Sequence, residues 1–206
     1  MRTHVQQTWL GYFAVLRQLR QIRNSVSTAT FQTSVIALLM SRLDYENSVL
    51  IGLLTHLICR IQSVWNAAAW LICKLWCFDH ITDALVSLHW LRIPERIVYK
   101  ISLLTFKVIH ETAPQYLGPV VHVADLPGRQ ALHSASTNRL VVPPFKLWII
   151  GSRAFLVTGP QLWNSLPEDI ASIPWLLTFR KRLKSNLFRQ SLAHLVSLTS
   201  SLCFSL

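Results

Sequence analysis

At 206 residues, with 51% of them apolar and only 14% charged, the chain holds enough hydrophobic material for one ordinary domain or two small ones. Twenty Lys and Arg against nine Asp and Glu leave a net charge of +11, which favours a polyanionic partner, nucleic acid or an anionic membrane surface, or else marks a basic piece whose acidic partner domain is missing. Four cysteines and a start, MRTHVQQTWL, without an apolar signal-like stretch predict reduced thiols in an intracellular protein, nuclear or cytoplasmic and not secreted.

The first predicted element is WLGYFAVLRQLRQIR, where Leu16, Leu19 and Ile22 recur every third residue and Arg17, Arg20 and Arg23 come one position later. A helix would set an apolar stripe beside a basic one. Asn24, Ser25 and Ser27 break the pattern, and Thr28 or Thr30 is placed to cap a second helix, FQTSVIALLMSRL, apolar enough to be buried. Asp44 and Asn47 predict a bend. From Leu54 to Phe78 a long helix is expected, with Leu57, Ile61, Val64, Ala68, Leu71 and Leu75 in three–four rhythm, and Ala67, Ala68 and Ala69 leaving room for a close helix neighbour. Asp79 or Thr82 can cap the short helix TDALVSLHW, and Pro94 suits the first turn of PERIVYKISLLTFKVIHE, whose face is Ile97, Ile101, Leu104 and Val108.

Prolines at 114, 119, 127, 143 and 144 then predict a long irregular segment over 113–144, the best candidate linker, with a short strand at Arg139–Val142. RAFLVTGPQLW, from Arg153, reads as a short strand and a tight turn at Gly159-Pro160. Pro174 opens a final helix with Leu176, Phe179, Leu183 and Leu187 on one face and Arg180, Lys181, Arg182, Lys184 and Arg189 on the other. The fold class expected is mainly α, an irregular helical bundle with a long Pro-rich loop and at most one or two short strands. Its expected divisions are a helical region 1–112, a linker 113–144, a strand-turn-helix region 145–190 and an apolar tail 191–206. That tail is shorter than the ~20 residues of a membrane span, so no transmembrane helix and no membrane partner are expected, with association through the apolar tail only a third reading.

Catalytic chemistry is hard to find. Two-metal phosphoryl transfer needs clustered carboxylates, yet Asp79 and Asp83 read as a helix start, and the adjacent Glu168 and Asp169 come after a proline as first-turn acids. Neither a GxSxG elbow nor a glycine-rich phosphate loop occurs. Cys73 and Cys77 lie one turn apart with His80 behind, but lack a fourth ligand, so no metal and no other cofactor is expected. His80 and His89, flanking the short helix, read as structural residues. Eight tryptophans are many for this length. Trp65, Trp70, Trp76, Trp90 and Trp148 lie in apolar stretches, and Trp9, Trp163 and Trp175 lie near element ends. Core and interface filling is the simpler reading of them, base stacking the sharper one.

The segments LRQLRQIR, SRLDYENS, NAAAWLI, HIT…LHWL, RIVYKISLLTFK, APQYL, RAF…GPQLWNSLP and FRKRLKSNLF, in that order from about Leu16 to Phe188, resemble the C-terminal part of the reverse transcriptase of jockey-like non-LTR retrotransposons. In that family this region lies after the palm and corresponds to the thumb and the segment beyond it. The resemblance implies a part that holds the template–primer duplex and lacks the catalytic aspartates, hence no enzyme. The wording departs from the family at Glu46, Trp65, Trp70 and Arg92, where the family tends to have Cys, Gln, Arg and Pro. The Trp at 70 is one C-to-T change away from Arg, which suggests a decayed genomic copy.

Together these readings predict a catalytically inactive fragment that binds RNA or DNA duplex weakly and without sequence preference, and takes no small-molecule substrate. The expected contacts are Arg17, Arg20, Arg23, Arg180, Lys181, Arg182 and Lys184. The alternative is an orphan interaction or structural product whose apolar faces once met a missing palm domain.

Overall fold

The computed structural model describes the backbone of residues 2–50, 55–76, 79–126, 138–146, 151 and 154–203, and side chains within these except at 2–10, 40–50 and 193–203. Among the described residues the protein is built from helices, and pairing between extended segments amounts to one isolated antiparallel bridge, His122 to Leu140. The mainly α expectation holds. The chain divides into two compact units, Met1–Pro94 and Glu95–Leu206. The helix that ends at Ile109 stacks its Phe106 on Phe179 and so belongs with the C-terminal helices.

The first unit contains α1 (Arg2–Ile22), α2 (Thr28–Leu50), α3 (Thr55–Cys73) and α4 (Ile81–Ser87). Helix α3 is central and packs against the other three. Leu57, Ile61, Val64 and Ala68 are buried along it as the three–four rhythm requires, but Ile72 takes the place expected for Leu71, and Leu71 and Leu75 are only half-buried. The helix expected to reach Phe78 ends at Cys73, where Lys74 turns left-handed. Leu16 and Leu19 of α1 and Phe31, Val35 and Leu39 of α2 are buried too. Helix α2 buries one face rather than all of itself, since Leu38 is exposed. It also runs unbroken through Asp44 and Asn47, where a bend was expected. Asp and Asn cost only a few tenths of a kcal/mol in a helix interior, too little to interrupt a helix held by its other face. The α2 cap is Ser27, whose Oγ accepts the Thr30 N–H at 3.2 Å, rather than Thr28 or Thr30.

Helix α4 is capped by neither candidate. His80 occupies the N-cap without a side-chain bond, and Asp79 instead accepts the Trp76 N–H at 2.7 Å. The unit closes on tryptophan: the Trp65 and Trp90 rings lie 4.3 Å apart, and the Trp65 indole N–H donates to the Leu91 carbonyl at 3.1 Å. Gln62 Oε1 takes the Ile93 N–H at 2.8 Å, satisfying a backbone donor that the first turn of the next helix leaves unpaired.

That helix, α5 (Ile93–Ile109), carries Pro94 in its first turn and leads into the second unit, with α6 (Phe155–Asn164), α7 (Glu168–Ala171) and α8 (Leu176–Cys203). Its core is aromatic. Phe106 stacks on Phe179 at 4.5 Å, and Trp163 lies 5.6 Å from Phe179. Phe179, Leu183 and Leu187 are buried at the spacing predicted for the final helix.

Where a strand and a turn were expected from Arg153, the chain forms α6 with Pro160 inside it; Arg153 itself lies outside the described residues. Val157, Pro160 and Trp163 are buried at helical spacing, and that burial outweighs the backbone hydrogen bond a proline forfeits. Gly159 serves approach rather than turning. A Cβ there would sit 2.8 Å from Thr105 Oγ1 on α5.

Of the 113–144 segment, residues 127–137 lie outside the described residues. The rest is not a free linker. The Asn164 side chain brackets Leu140, accepting its N–H at 2.8 Å and donating to its carbonyl at 2.9 Å. Trp163 Nε1 donates to the Asn138 carbonyl at 2.9 Å, and Leu140 is buried. The expected strand at Arg139–Val142 is this single bridge, with the Asn164 amide standing in for a neighbouring backbone edge.

Candidate nucleic-acid interface

In the second unit, α8 sets its charges by burying their opposite face. With Phe179, Leu183 and Leu187 in the core, the 3.6-residue period leaves Arg180, Lys181 and Arg182 exposed, and Arg189 beyond them. Lys184 is half-buried, its Nζ 5.8 Å from the Phe188 ring centre. Burial holds the Lys184 ammonium below the usual lysine pKa, and the nearby positive charges of Arg96 and Arg180 push it the same way. Arg180 Nε reaches the Tyr99 hydroxyl at a long 3.5 Å. The α8 residues expected to form a basic face are therefore brought together, with Arg96 joining them from α5. Spacing could not show Arg96, because it reads as part of an ordinary helix start.

The first unit carries the other stripe. Arg17 and Arg20 are exposed on α1. Arg23 is not. Its Nη2 donates to the Ile72 carbonyl at 2.7 Å, and its guanidinium lies 4.6 Å from the Phe31 ring centre. Ile72 is in the last turn of α3, where carbonyls lack intrahelical partners. Arg23 is thus a buried helix-end cap, and Ile22, expected on the apolar stripe, is exposed in its place. Arg17 and Arg20 line a groove of about 790 Å³ with Trp70, Lys74 and Trp76.

The tryptophans divide. Trp65, Trp90 and Trp163 are buried, in line with core filling, whereas Trp76 and Trp175 are 77% and 74% exposed. Trp148 lies outside the described residues, as does the side chain of Trp9.

No group of His, Cys, Asp or Glu among the described residues could hold a metal. Cys59 and Cys73 are free thiols, and Cys77 lies outside the described residues. Glu168 and Asp169 occupy the first turn of α7, as their position after a proline implied. Among the described residues no helix is long and apolar enough to cross a membrane. Comparison with known proteins finds no matching family model, curated protein or solved structure.

Proposed function

We propose that this chain is a non-catalytic, helical piece related to the post-palm region of a non-LTR retrotransposon reverse transcriptase, and that it binds nucleic-acid duplex through phosphates without reading sequence. The observation that supports this best is the α8 face. Arg180, Lys181 and Arg182 are exposed on a helix whose orientation is locked by a buried aromatic contact. Lys184 beside them is already pushed toward its neutral form by burial and by positive neighbours. A phosphate placed there would relieve that repulsion.

The test is duplex affinity across a salt series. Four phosphate contacts give a slope of log K against log salt of about −4. Replacing Arg180, Lys181, Arg182 and Lys184 by Gln should remove most of that slope and weaken unrelated sequences equally. If the four changes leave affinity and slope untouched while as many changes elsewhere reduce them, α8 is only a solvated face. The rival reading, a protein-interaction product, draws on Trp175 and Leu177, both exposed at the start of α8. It would be favoured if duplex binding were lost at physiological salt in wild type and variant alike.

A further inference from the structure

The groove in the first unit has features that duplex binding does not use. We infer that it takes an unpaired nucleotide of single-stranded nucleic acid, with the base against the Trp76 indole and the flanking phosphates on Arg17, Arg20 and Lys74. This rests on the duplex-binding proposal only in taking nucleic acid as the polyanion; it concerns a different unit and a different chemistry.

Three observations carry it. Trp76 is 77% exposed although tryptophan is the largest apolar side chain in the chain, and its backbone is fixed rather than trailing. Its N–H donates to the Asp79 carboxylate at 2.7 Å, and its carbonyl accepts the Asp79 N–H at 3.0 Å. Two hydrogen bonds to Asp79 thus anchor the residue that carries the ring. Next, the walls are cationic. Arg17, Arg20 and Lys74 line the groove, and none of its lining residues is acidic. Lys74 is held there by a left-handed backbone, φ 56°, that ends α3 and turns the chain toward Trp76. Last, the Trp70 indole, whose buried N–H finds no acceptor among the described residues, lines the same groove and adds a second aromatic wall.

Aromatic faces and cationic wall together match the way single strands are bound, by stacking plus backbone charge. A duplex hides its base faces and could not use Trp76. An acidic peptide could use the cations but has no planar ring system to place on the indole.

The test uses the full chain and two fluorescein-labelled probes, a 12-mer of dT and the same 12-mer with abasic sugars, read by anisotropy. Phosphates are equal in the two, so any difference reports bases. The expected result is at least about 5-fold tighter binding of the dT strand, the lower end of one stacked base. Trp76→Ala should abolish that preference and leave the abasic strand and duplex unchanged, while Trp76→Phe should keep part of it. Arg17→Gln with Arg20→Gln should weaken both strands and reduce the salt slope by about 1.4, as two single-strand contacts require. Equal binding of the two strands, or a preference that survives Trp76→Ala, overturns the inference. The α8 quadruple variant separates the two proposals: it should lower duplex affinity while the dT-over-abasic ratio stays as in wild type. An acidic peptide that competes with the dT strand as well as an unlabelled dT strand does would also overturn it.

Discussion

Replacing Glu111 by glycine should stabilise the protein by about 0.5–1 kcal/mol. Three helices end alike. After α3, α4 and α5 the chain passes through Lys74, His89 and Glu111, all with φ near +55°. In each case the next N–H reaches back to a carbonyl five residues earlier: Leu75 to Trp70 at 3.2 Å, Trp90 to Leu85 at 2.8 Å and Thr112 to Lys107 at 2.8 Å. This closure is normally made with glycine, because a Cβ in the left-handed region costs about 1–2 kcal/mol. Glycine returns part of that gain through its greater freedom in the unfolded chain, about 0.5–1 kcal/mol. Glu111 is exposed, so little side-chain packing is lost. At His89 the outcome should be closer to neutral, because its Nδ1 lies 2.9 Å from the Val86 carbonyl and glycine forfeits that bond. The assay is urea unfolding. With a slope near 2 kcal/mol per molar, Glu111→Gly should raise the midpoint by about 0.25–0.5 M, with Glu111→Ala near wild type as the control for lost charge. A glycine variant no more stable than the alanine variant would refute the assignment of strain to this position.

Two more outcomes concern the second unit. Asn164→Ala leaves both the N–H and the carbonyl of buried Leu140 without partners, so it should cost about 2–4 kcal/mol in urea unfolding; a loss under about 0.5 kcal/mol would mean that the 138–141 stretch is held by its other contacts. For Lys184 the folded-state pKa lies below 10.5, so the unfolded chain binds more protons between the two values and stability from this group rises with pH through that window. Lys184→Met should therefore be more stable than wild type at pH 7, with the advantage shrinking by pH 10.5, and an advantage that is constant or grows would contradict the sign.

Much of the helical framework was legible because burial tracks period. Phe179, Leu183 and Leu187, or Leu57, Ile61 and Val64, announce their faces by spacing alone, and Pro94 announces a helix start. Pro160 and Gly159 misled for a physical reason. Both are turn residues by intrinsic preference, but here an apolar helix accommodates the proline and the glycine is needed by a neighbouring helix. No local pattern encodes that neighbour. Asn164 escaped notice likewise, since its partner lies far along the chain. The site divided in the same way. A helical wheel places Arg180, Lys181 and Arg182 outside correctly, because the opposite face is so plainly apolar. It places Arg23 outside wrongly, because the α3 carbonyl that captures it is remote in sequence. Trp76 resembles the buried tryptophans in its neighbours, and only its exposure in the folded chain shows that it faces outward.

The close approach at Gly159 has a consequence at the level of the gene. Glycine codons are of the form GGN, so third-position changes are silent, whereas every change at the first or second position yields a residue with a Cβ or a stop. Any such residue at 159 would meet Thr105 at 2.8 Å. Codon 159 is therefore an internal gauge of whether folding has mattered to the chain since it arose. Should related copies exist in one genome, variation among them confined to the third base would mean that the packed second unit has been kept. Variation spread over all three bases would mean that the sequence has been drifting free of its structure.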